Sequence, residues 1–346
     1  MPEDSIEHID FDDINQRAIS QPLVKNIYTA DPSAHEFNGK IYIYPSHDID
    51  AGEAFDDLGS HFAMEDYHVL SMDNPDAETT DNGLALSIKD VSWASQQMWA
   101  PDANEKNGIY YLFFPAKDHE GIFRIGVAIG KSPTGPFVPQ PGAIKNSFSI
   151  DPAVFKDDDG SYYMYFGGIW GGQLQRWRKG SFDATQSDSP VAHLPADDEP
   201  ALCGKIAKLT DDLLEFAEAP KDIIILDEEG KPLLQGDNGR RFFEASWVHK
   251  YNGKYYFSYS TGDSHYICYA IADNPYGPFI YQGRILEPVV GWTSHHSICA
   301  FNNKWYLFYH DSSLSKGVTH LRSVKVTELT YDAEGKINTI EPYRSK

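Results

Sequence analysis

A unit of two short strands joined by a turn rich in Asn, Asp and Gly recurs five times along the 346-residue chain. Short aromatic and β-branched runs bounded by turn residues are typical of β-strands. The five copies are DPSAHEFNGKIYIYPS from Asp31, WAPDANEKNGIYYLFFPA from Trp99, DPAVFKDDDGSYYMYFGG from Asp151, EASWVHKYNGKYYFSYS from Glu244 and HHSICAFNNKWYLFYHD from His295. Two copies continue into a further strand and a nearly identical turn, GVAIGKSPTGPF (residues 126–137) and CYAIADNPYGPF (residues 268–279). This pattern indicates units of four antiparallel strands.

Repeats of this size predict a propeller or a solenoid. A propeller blade of four strands takes roughly 40 to 50 residues plus loops, so five blades fit this chain. The repeat turns are unevenly spaced, which favours blades with large inserted loops over a uniform solenoid; they lie at Asn38, Asn107, Asp159, Asn252 and Asn302. We therefore expect an all-β, five-bladed β-propeller as a single domain over residues 1–346. Residues 1–25 are expected to form an N-terminal extension, and Ser181–Gly239 an insertion between the third and fourth blades.

The composition excludes several classes of partner. A net charge of −22 disfavours nucleic acid and anionic membrane surfaces, because both would repel this chain. No stretch approaches the roughly 20 apolar residues that a membrane span needs. The acidic N-terminus lacks the apolar core of a secretory signal, so we expect a cytoplasmic protein. Three widely spaced cysteines, Cys203, Cys268 and Cys299, are expected to be buried free thiols.

Three acidic residues occupy matching positions in the repeat. Asp31, Asp151 and Glu244 each lie seven or eight residues before the turn of their copy, and Trp99 and His295 take that place in the other two. The first strand of each propeller blade lines the central channel, so these five side chains should meet at one channel end. Buried carboxylates are costly unless they are paired, metal-bound or functional. Converging carboxylates suit hydrolysis of a glycosidic bond or an oxygen-ligand metal site.

The chain resembles glycoside hydrolase family 43 from TADPSAHEFNGKIYIYPSHD (residues 29–48) through RSVKVTEL (residues 322–329). The resemblance implies a five-bladed propeller that inverts the configuration of its substrate with two Asp residues and one Glu. It also implies that Asp31 is the general base that activates water and Glu244 the general acid. Asp151 would then raise the pKa of the acid and hold it in position.

Four further segments resemble the β-xylosidase and α-L-arabinofuranosidase branch of that family; they are SWASQQMWAPD (residues 92–102), GGIWGGQLQRW (167–177), STGDSHYICYA (260–270) and GWTSHHSI (291–298). This similarity implies an exo-acting β-1,4-xylosidase on xylo-oligosaccharides. The alternatives are an α-L-arabinofuranosidase or an enzyme with both activities. A non-catalytic carbohydrate-binding propeller and a protein-interaction propeller are more distant alternatives, since each should lack part or all of the carboxylate set.

The resemblance also suggests residues around the carboxylates. Trp99 would form a wall of the site, and Arg322 would bind sugar hydroxyls or pair with an acid. Trp93 and Trp170 would either shape the substrate entrance or pack within loops. His295 would bind a divalent cation, Ca²⁺, in the central channel, with His296 as the alternative ligand and waters completing the shell.

Many xylosidases of this family carry a C-terminal β-sandwich that helps to close the pocket, and no such domain is expected after the fifth blade here. The loops Ser46–Asn74 or Ser181–Gly239 could close the pocket instead. A neighbouring subunit could also do so, which leaves a homo-oligomer open.

Overall fold

The strands of this protein assemble into five separate sheets, as the computed structural model of residues 9–346 shows. The innermost strands of successive sheets pack side by side in a closed ring, with the fifth returning to the first. The predicted all-β, five-bladed β-propeller is confirmed.

The strands of the first two blades have the following bounds. The first blade contains β1 (Tyr28–Phe37), β2 (Lys40–Asp48), β3 (Asp66–Met72) and β4 (Thr80–Ser87). The second contains β5 (Ala94–Gln96), β6 (Asp102–Lys106), β7 (Ile109–Asp118), β8 (Phe123–Gly130) and β9 (Val138–Pro139). Consecutive strands pair antiparallel, except that β5 and β6 both pair with β7. β6 is the inner strand of the second blade.

The strands of the remaining three blades also pair antiparallel, except in the fourth blade, where the first strand pairs parallel with the last. The third contains β10 (Ala153–Lys156), β11 (Tyr162–Phe166), β12 (Lys205–Lys208) and β13 (Lys221–Asp222). The fourth contains β14 (Ile225–Leu226), β15 (Glu244–Tyr251), β16 (Lys254–Ser260), β17 (Ile267–Ala272) and β18 (Phe279–Leu286). The fifth contains β19 (His296–Phe301), β20 (Lys304–Asp311) and β21 (Ser323–Leu329). Within the described residues, the α-helix α1 (Phe11–Arg17) precedes the blades.

The repeat turns adopt the backbone that their residues favour. Asn38, Asn107 and Asn252 have φ of 48–56°, and the glycine after each also has a positive φ. Tight hairpin turns need two successive residues in this region, and Asn-Gly is the pair that meets the requirement at the lowest cost. These turns set the register of the inner hairpin in blades one, two and four.

The ring closes between the N-terminal segment and the fifth blade. The backbone N–H of Leu23 donates to the carbonyl of Val324 at 2.8 Å, and that of Thr29 to the carbonyl of Arg322 at 2.9 Å. This segment therefore covers β21, where the other blades have a fourth strand. Of the expected N-terminal extension, residues 1–8 lie outside the described residues, whereas residues 18–25 pack on this blade.

The prediction that Ser181–Gly239 is an insertion between blades is wrong. This stretch supplies β12 and β13 of the third blade and β14, which pairs with β18 of the fourth. These strands are only two to four residues long, and β12 and β13 carry charged residues, so no alternating apolar pattern marks them.

The expectation of buried free thiols is confirmed for two of the three cysteines. Cys203, Cys268 and Cys299 are free thiols; the latter two are buried, and Cys203 is partly buried. Among residues 9–346, no helix has the length and apolar character that crossing a bilayer would require.

A buried ion pair joins β20 and β21 of the fifth blade, and a tyrosine of the C-terminal segment is hydrogen-bonded to it. Lys325 Nζ donates to Asp311 Oδ2 at 2.7 Å, and the hydroxyl of Tyr343 donates to the same oxygen at 2.7 Å. Both charged side chains are 1% exposed. The hydroxyl of Ser313 donates to Asp311 Oδ1 at 2.9 Å, so the carboxylate is fully hydrogen-bonded.

We expect Lys325→Met to lower the free energy of unfolding by about 3–5 kcal/mol, because it leaves the buried Asp311 carboxylate without a counter-charge. Denaturant unfolding followed by tryptophan fluorescence measures the change. The matched control is Lys304→Met, which removes an exposed ion pair with Glu328 and should cost less than about 1 kcal/mol. Equal effects of the two substitutions would contradict this account.

Candidate active site

A cavity of about 870 Å³ opens at one end of the channel and is lined by residues from every blade. Asp31, Trp99, Asp151, Glu244 and His295 all line it. Asp31 lies within β1 and Glu244 begins β15, whereas the other three lie just before the inner strands of their blades. The structure therefore brings together the five residues that share one position in the repeat.

Local backbone distortions direct the acids into the cavity. Asp31 and Asp151 have φ of 48° and 57°, a left-handed conformation that Asp tolerates better than most residues. In β1 the pairing register shifts between Ala30 and Ser33, so Asp31 lies at a β-bulge. In β15 the bulge follows Glu244, and Ala245 takes the positive φ of 62°. Bulges of this kind commonly redirect a side chain next to an active site.

Asp31 is buried among hydrogen-bond donors. Arg322 Nη1 donates to its Oδ1 at 2.9 Å, and the Ser46 hydroxyl donates to its Oδ2 at 2.7 Å. Burial by itself would raise the pKa of Asp31, but the positive charge of Arg322, helped by His295 and His310, outweighs this effect and lowers the pKa to about 2. Asp31 is therefore ionised at neutral pH.

Arg322 is held between two carboxylates. Its Nε and Nη2 donate to the two oxygens of Asp48 at 2.8 and 2.7 Å, while Nη1 contacts Asp31. The guanidinium also lies 4.9 Å from the ring centroid of Phe62, and the residue is only 2% exposed. Burial opposes its charge, yet Asp31 and Asp48 together raise the pKa of Arg322. Arg322 thus makes the ion pair that was one of its two expected roles, and it also lines the cavity.

Glu244 and Asp151 form the less easily ionised part of the site. Burial, and then the negative charge of Asp31, raise the pKa of Glu244 to about 8. Burial, Glu244 and Asp31 raise the pKa of Asp151 as well, although the backbone N–H of Ala245 donates to its Oδ2 at 2.8 Å. The two carboxyl groups influence each other, so they titrate as a pair. At neutral pH the pair of Glu244 and Asp151 therefore retains protons, whereas Asp31 is ionised.

Two histidines contact the ionised acid. His295 Nδ1 lies 3.6 Å from Asp31 Oδ1 and 3.9 Å from Asp151 Oδ2. His310 Nδ1 accepts the backbone N–H of Asp31 at 3.0 Å, and its Nε2 donates to the carbonyl of Thr293 at 3.1 Å. Burial lowers the pKa of His310 to about 3 and that of His295 to about 4, so both are neutral at pH 7. His296 does not line the cavity; its Nε2 contacts the Ser258 hydroxyl at 2.6 Å.

Aromatic side chains form much of the cavity wall. Trp99 donates from Nε1 to the carbonyl of Phe62 at 2.8 Å, which fixes its indole against the loop before β3. Trp170 lies 5.6 Å from Trp292 and 5.3 Å from Phe243, measured between ring centroids. All of these rings line the cavity. Flat apolar faces of this kind suit stacking against sugar rings.

Trp93 lies away from the cavity, so of its two expected roles the place at the substrate entrance is wrong and the packing role holds. Its ring stacks on Phe114 at 5.8 Å with an interplanar angle of 19° and packs against the hydrophobic cluster shared by blades one and two. It does not line the cavity. The space for this indole exists because residue 126 is a glycine; a Cβ there would lie 2.5 Å from the ring.

Sequence reasoning missed Asp48, His310 and Trp292. Asp48 and His310 lie near the ends of the aromatic second strands of their blades, within the PSHD and FYHD segments. The signal that the sequence offers for both residues is a His-Asp pair at the end of an otherwise largely apolar strand. Trp292 lies close before the histidine pair in the GWTSHHSI segment, in which only the two histidines are predicted to have a role.

One of the two candidate loops covers the cavity. Residues of the segment between β2 and β3 line it, including Asp56, His61 and Phe62. From Ser181–Gly239 only Pro190 does so. Of the two candidate loops, the first therefore contributes more to the wall of the cavity.

Comparison with known proteins agrees with this geometry. The family model "Glycosyl hydrolases family 43" matches residues 19–337. Xylosidase/arabinosidase 43A of Humicola insolens is 60% identical over 326 residues, which cover 93% of this chain and 99% of that protein. A β-xylosidase of Xylanibacter ruminicola is 57% identical over 316 residues, covering 91% and 97%.

Solved structures extend the likeness to three dimensions. One of them is a family 43 β-xylosidase/α-arabinofuranosidase from a compost microbial metagenome, described in complex with xylotriose and in a calcium-free form. It superimposes on this chain with a TM-score of 0.91. The two sequences are 65% identical, with 94% of this chain and 98% of that chain covered. The Xanthomonas citri enzyme in complex with xylotriose gives a TM-score of 0.90 at 55% identity, with coverage of 96% and 97%. The resemblance seen in the sequence is confirmed. This chain is a glycoside hydrolase and belongs to glycosyl hydrolase family 43.

Proposed function

We propose that this enzyme removes β-linked xylose from the ends of xylo-oligosaccharides, with inversion at the anomeric carbon. The observation that carries the proposal is a single cavity in which one carboxylate is held ionised and another is held protonated. Glycoside hydrolysis requires this combination, because one group must activate a nucleophile while the other protonates the leaving oxygen. A purely carbohydrate-binding propeller has no need of it.

The charges assign a role to each acid. Asp31, ionised through Arg322, is the base that takes a proton from the attacking water. Glu244 is the acid that protonates the glycosidic oxygen, since its pKa of about 8 leaves it protonated at neutral pH. Asp151 titrates as a pair with Glu244 and accepts the backbone N–H of Ala245, the residue after the acid, which supports a role in holding Glu244 in position.

The shape of the cavity favours cleavage at chain ends. Its walls come from all five blades and from the loop before β3, and a cavity surrounded by residues in this way suits the end of a sugar chain. Two of the most similar proteins are named for both xylosidase and arabinosidase activity. α-L-Arabinofuranosidase is therefore the second candidate activity, at the same site and with the same acids.

A calcium ion in the channel is also part of the proposal, with His295 as its protein ligand. His295 faces the cavity between two carboxylates and is neutral, so its imidazole nitrogen is free of a proton at one position. No set of three close His, Cys or acidic ligands surrounds His295 among residues 9–346, so waters would supply most of the shell. Such an ion would add positive charge beneath the sugar site.

We expect Glu244→Gln to reduce kcat on xylobiose by roughly 10²- to 10⁴-fold, the range typical of a lost general acid. The loss should be smaller on 4-nitrophenyl β-D-xyloside, because nitrophenolate leaves without protonation. Glu229→Gln, at an exposed loop position, is the control and should retain full activity. Undiminished xylobiose turnover by Glu244→Gln would exclude this role.

The pH profile of kcat/KM should fall on the alkaline side near pH 8. Glu244 is active when protonated, and its raised pKa of about 8 means that the active form is lost as the pH rises through that value. Asp31 is active when ionised and has a pKa of about 2, so it should impose no loss between pH 4 and 7. Initial rates at low xylobiose concentration measure the profile. An activity that continues to rise above pH 9 would contradict the assignment.

The two pentosides should be distinguished by rate. We expect a higher kcat/KM for 4-nitrophenyl β-D-xylopyranoside than for 4-nitrophenyl α-L-arabinofuranoside, with both activities lost together in Asp31→Asn. A preference for the arabinoside would reverse the order of the two candidates. Retention of one activity in Asp31→Asn would show that they do not share a base.

Removal of divalent cations with a chelator should lower kcat/KM, and Ca²⁺ should restore it. His295→Asn should require a higher Ca²⁺ concentration for the same activity, whereas a change confined to His296→Asn would assign the ion to that residue instead. Elemental analysis establishes that the treated protein is free of metal. Full activity of that protein would remove calcium from the proposal.

A further inference from the structure

Three potential metal ligands lie together on one face of the first blade, outside the cavity. They are His47 on β2 and Asp66 and His68 on β3. His47 lies near the end of β2 and contacts Asp66 at the start of β3, and His68 follows Asp66 two residues later on the same face. One ligand atom from each of the three residues lies within 4.8 Å of the others. The rings of His47 and His68 are 4.5 Å apart between centroids.

A fourth side chain orients one of the imidazoles. Asp81, on β4, contacts His68 Nδ1 at 2.9 Å. This contact favours the tautomer with the proton on Nδ1, and it leaves the lone pair of Nε2 available. Histidines that bind metals are commonly held in this way by a carboxylate on the other nitrogen. Asp81 is itself fixed, since the Asn26 side chain and the Gly83 backbone N–H both donate to it.

The remaining contact in the cluster is between His47 Nδ1 and Asp66 Oδ1, at 2.5 Å. Here a proton holds the two residues together, and a cation could take its place. The side chains of His47 and His68 are 17% exposed and that of Asp66 is 30% exposed, so the cluster is open to ions from solution. Zinc bonds to nitrogen and oxygen are about 2.0–2.2 Å long, and partly exposed side chains can close to that distance by small rotations.

We propose that His47, Asp66 and His68 form a binding site for a divalent transition-metal ion such as Zn²⁺, with Asp81 orienting His68. Two imidazoles and a carboxylate are ligands that suit zinc better than calcium. Water completes a tetrahedral shell. The site is separate from the catalytic cavity and from the channel position at His295.

The placement predicts what the metal does. A bound ion links β2 to β3 and thereby braces the first blade near Asp48, the partner of Arg322. An ion that binds only the folded chain stabilises it in proportion to the logarithm of the free ion concentration. The expected effect is therefore on stability, and it does not depend on whether the catalytic proposal is right.

Equilibrium dialysis of the full, chelator-treated chain against ZnCl₂, with excess CaCl₂ to fill oxygen-ligand sites, tests the proposal. Wild-type protein should bind one more Zn²⁺ per chain than the His47→Asn/His68→Asn double variant, and its thermal midpoint should rise with added Zn²⁺. Asp81→Asn should weaken this binding by about 10- to 100-fold, as loss of an orienting carboxylate typically does. His119→Asn, a change at an exposed histidine, is the matched control and should bind as wild type does.

Equal Zn²⁺ binding by the wild type and the double variant would overturn the proposal and leave the cluster as a hydrogen-bonded histidine–aspartate pair. If circular dichroism shows that the double variant does not fold, His68→Gln alone decides the question in the same assay. Unchanged zinc affinity in that single variant would equally overturn the proposal.

Discussion

The buried guanidinium of Arg322 is the interaction on which the rest of the site depends. It joins three parts of the ring: β1 through Asp31, β2 through Asp48, and the segment that leads into β21 in the fifth blade. A charge this deeply buried is tolerated only with close counter-charges, and the two aspartates supply them. Because Arg322 shares its charge between them, Asp31 stays ionised although it is buried, while burial still raises the pKa of Asp48. Closure of the propeller and ionisation of the base thus rest on the same contact.

The same negative charge that Arg322 stabilises on Asp31 acts on the opposite side of the cavity. Glu244 and Asp151 have no comparable cation, so burial and the charge of Asp31 both favour their protonated forms. A single arginine therefore separates the protonation states of acids that occupy equivalent positions in the repeat. Differences of this kind between neighbouring carboxyl groups are what divide acid and base roles in glycosidases. The repeat places the acids at equivalent positions, and the arginine beside Asp31 gives them different protonation states.

The number of blades and the position of the carboxylates are predictable from the sequence for one reason. Residues at equivalent positions of the repeated two-strand unit lie together at one end of the channel. That reasoning identifies Asp31, Trp99, Asp151, Glu244 and His295.

The same reasoning does not extend to the second strands of the blades. It therefore misses Asp48, which contacts Arg322, and His310, which contacts Asp31. Short outer strands such as β12 and β13 give no signal in the sequence, because so few residues, several of them charged, show no periodicity. Trp93 could not be separated from Trp170 by residue type alone; Gly126 makes room for its indole within the blade. Pairing of residues 23–29 with the last strand is a contact across nearly the whole chain, which no local pattern reveals.

The central claim is that Asp31 activates water instead of attacking the sugar. Proton NMR of the first turnovers on a β-linked xylo-oligosaccharide tests it most directly, because the two mechanisms release different anomers before mutarotation mixes them. We expect α-xylose to appear first and the β-anomer to grow in later at the spontaneous rate. Initial release of β-xylose would contradict it, since retention requires a carboxylate to act as the nucleophile.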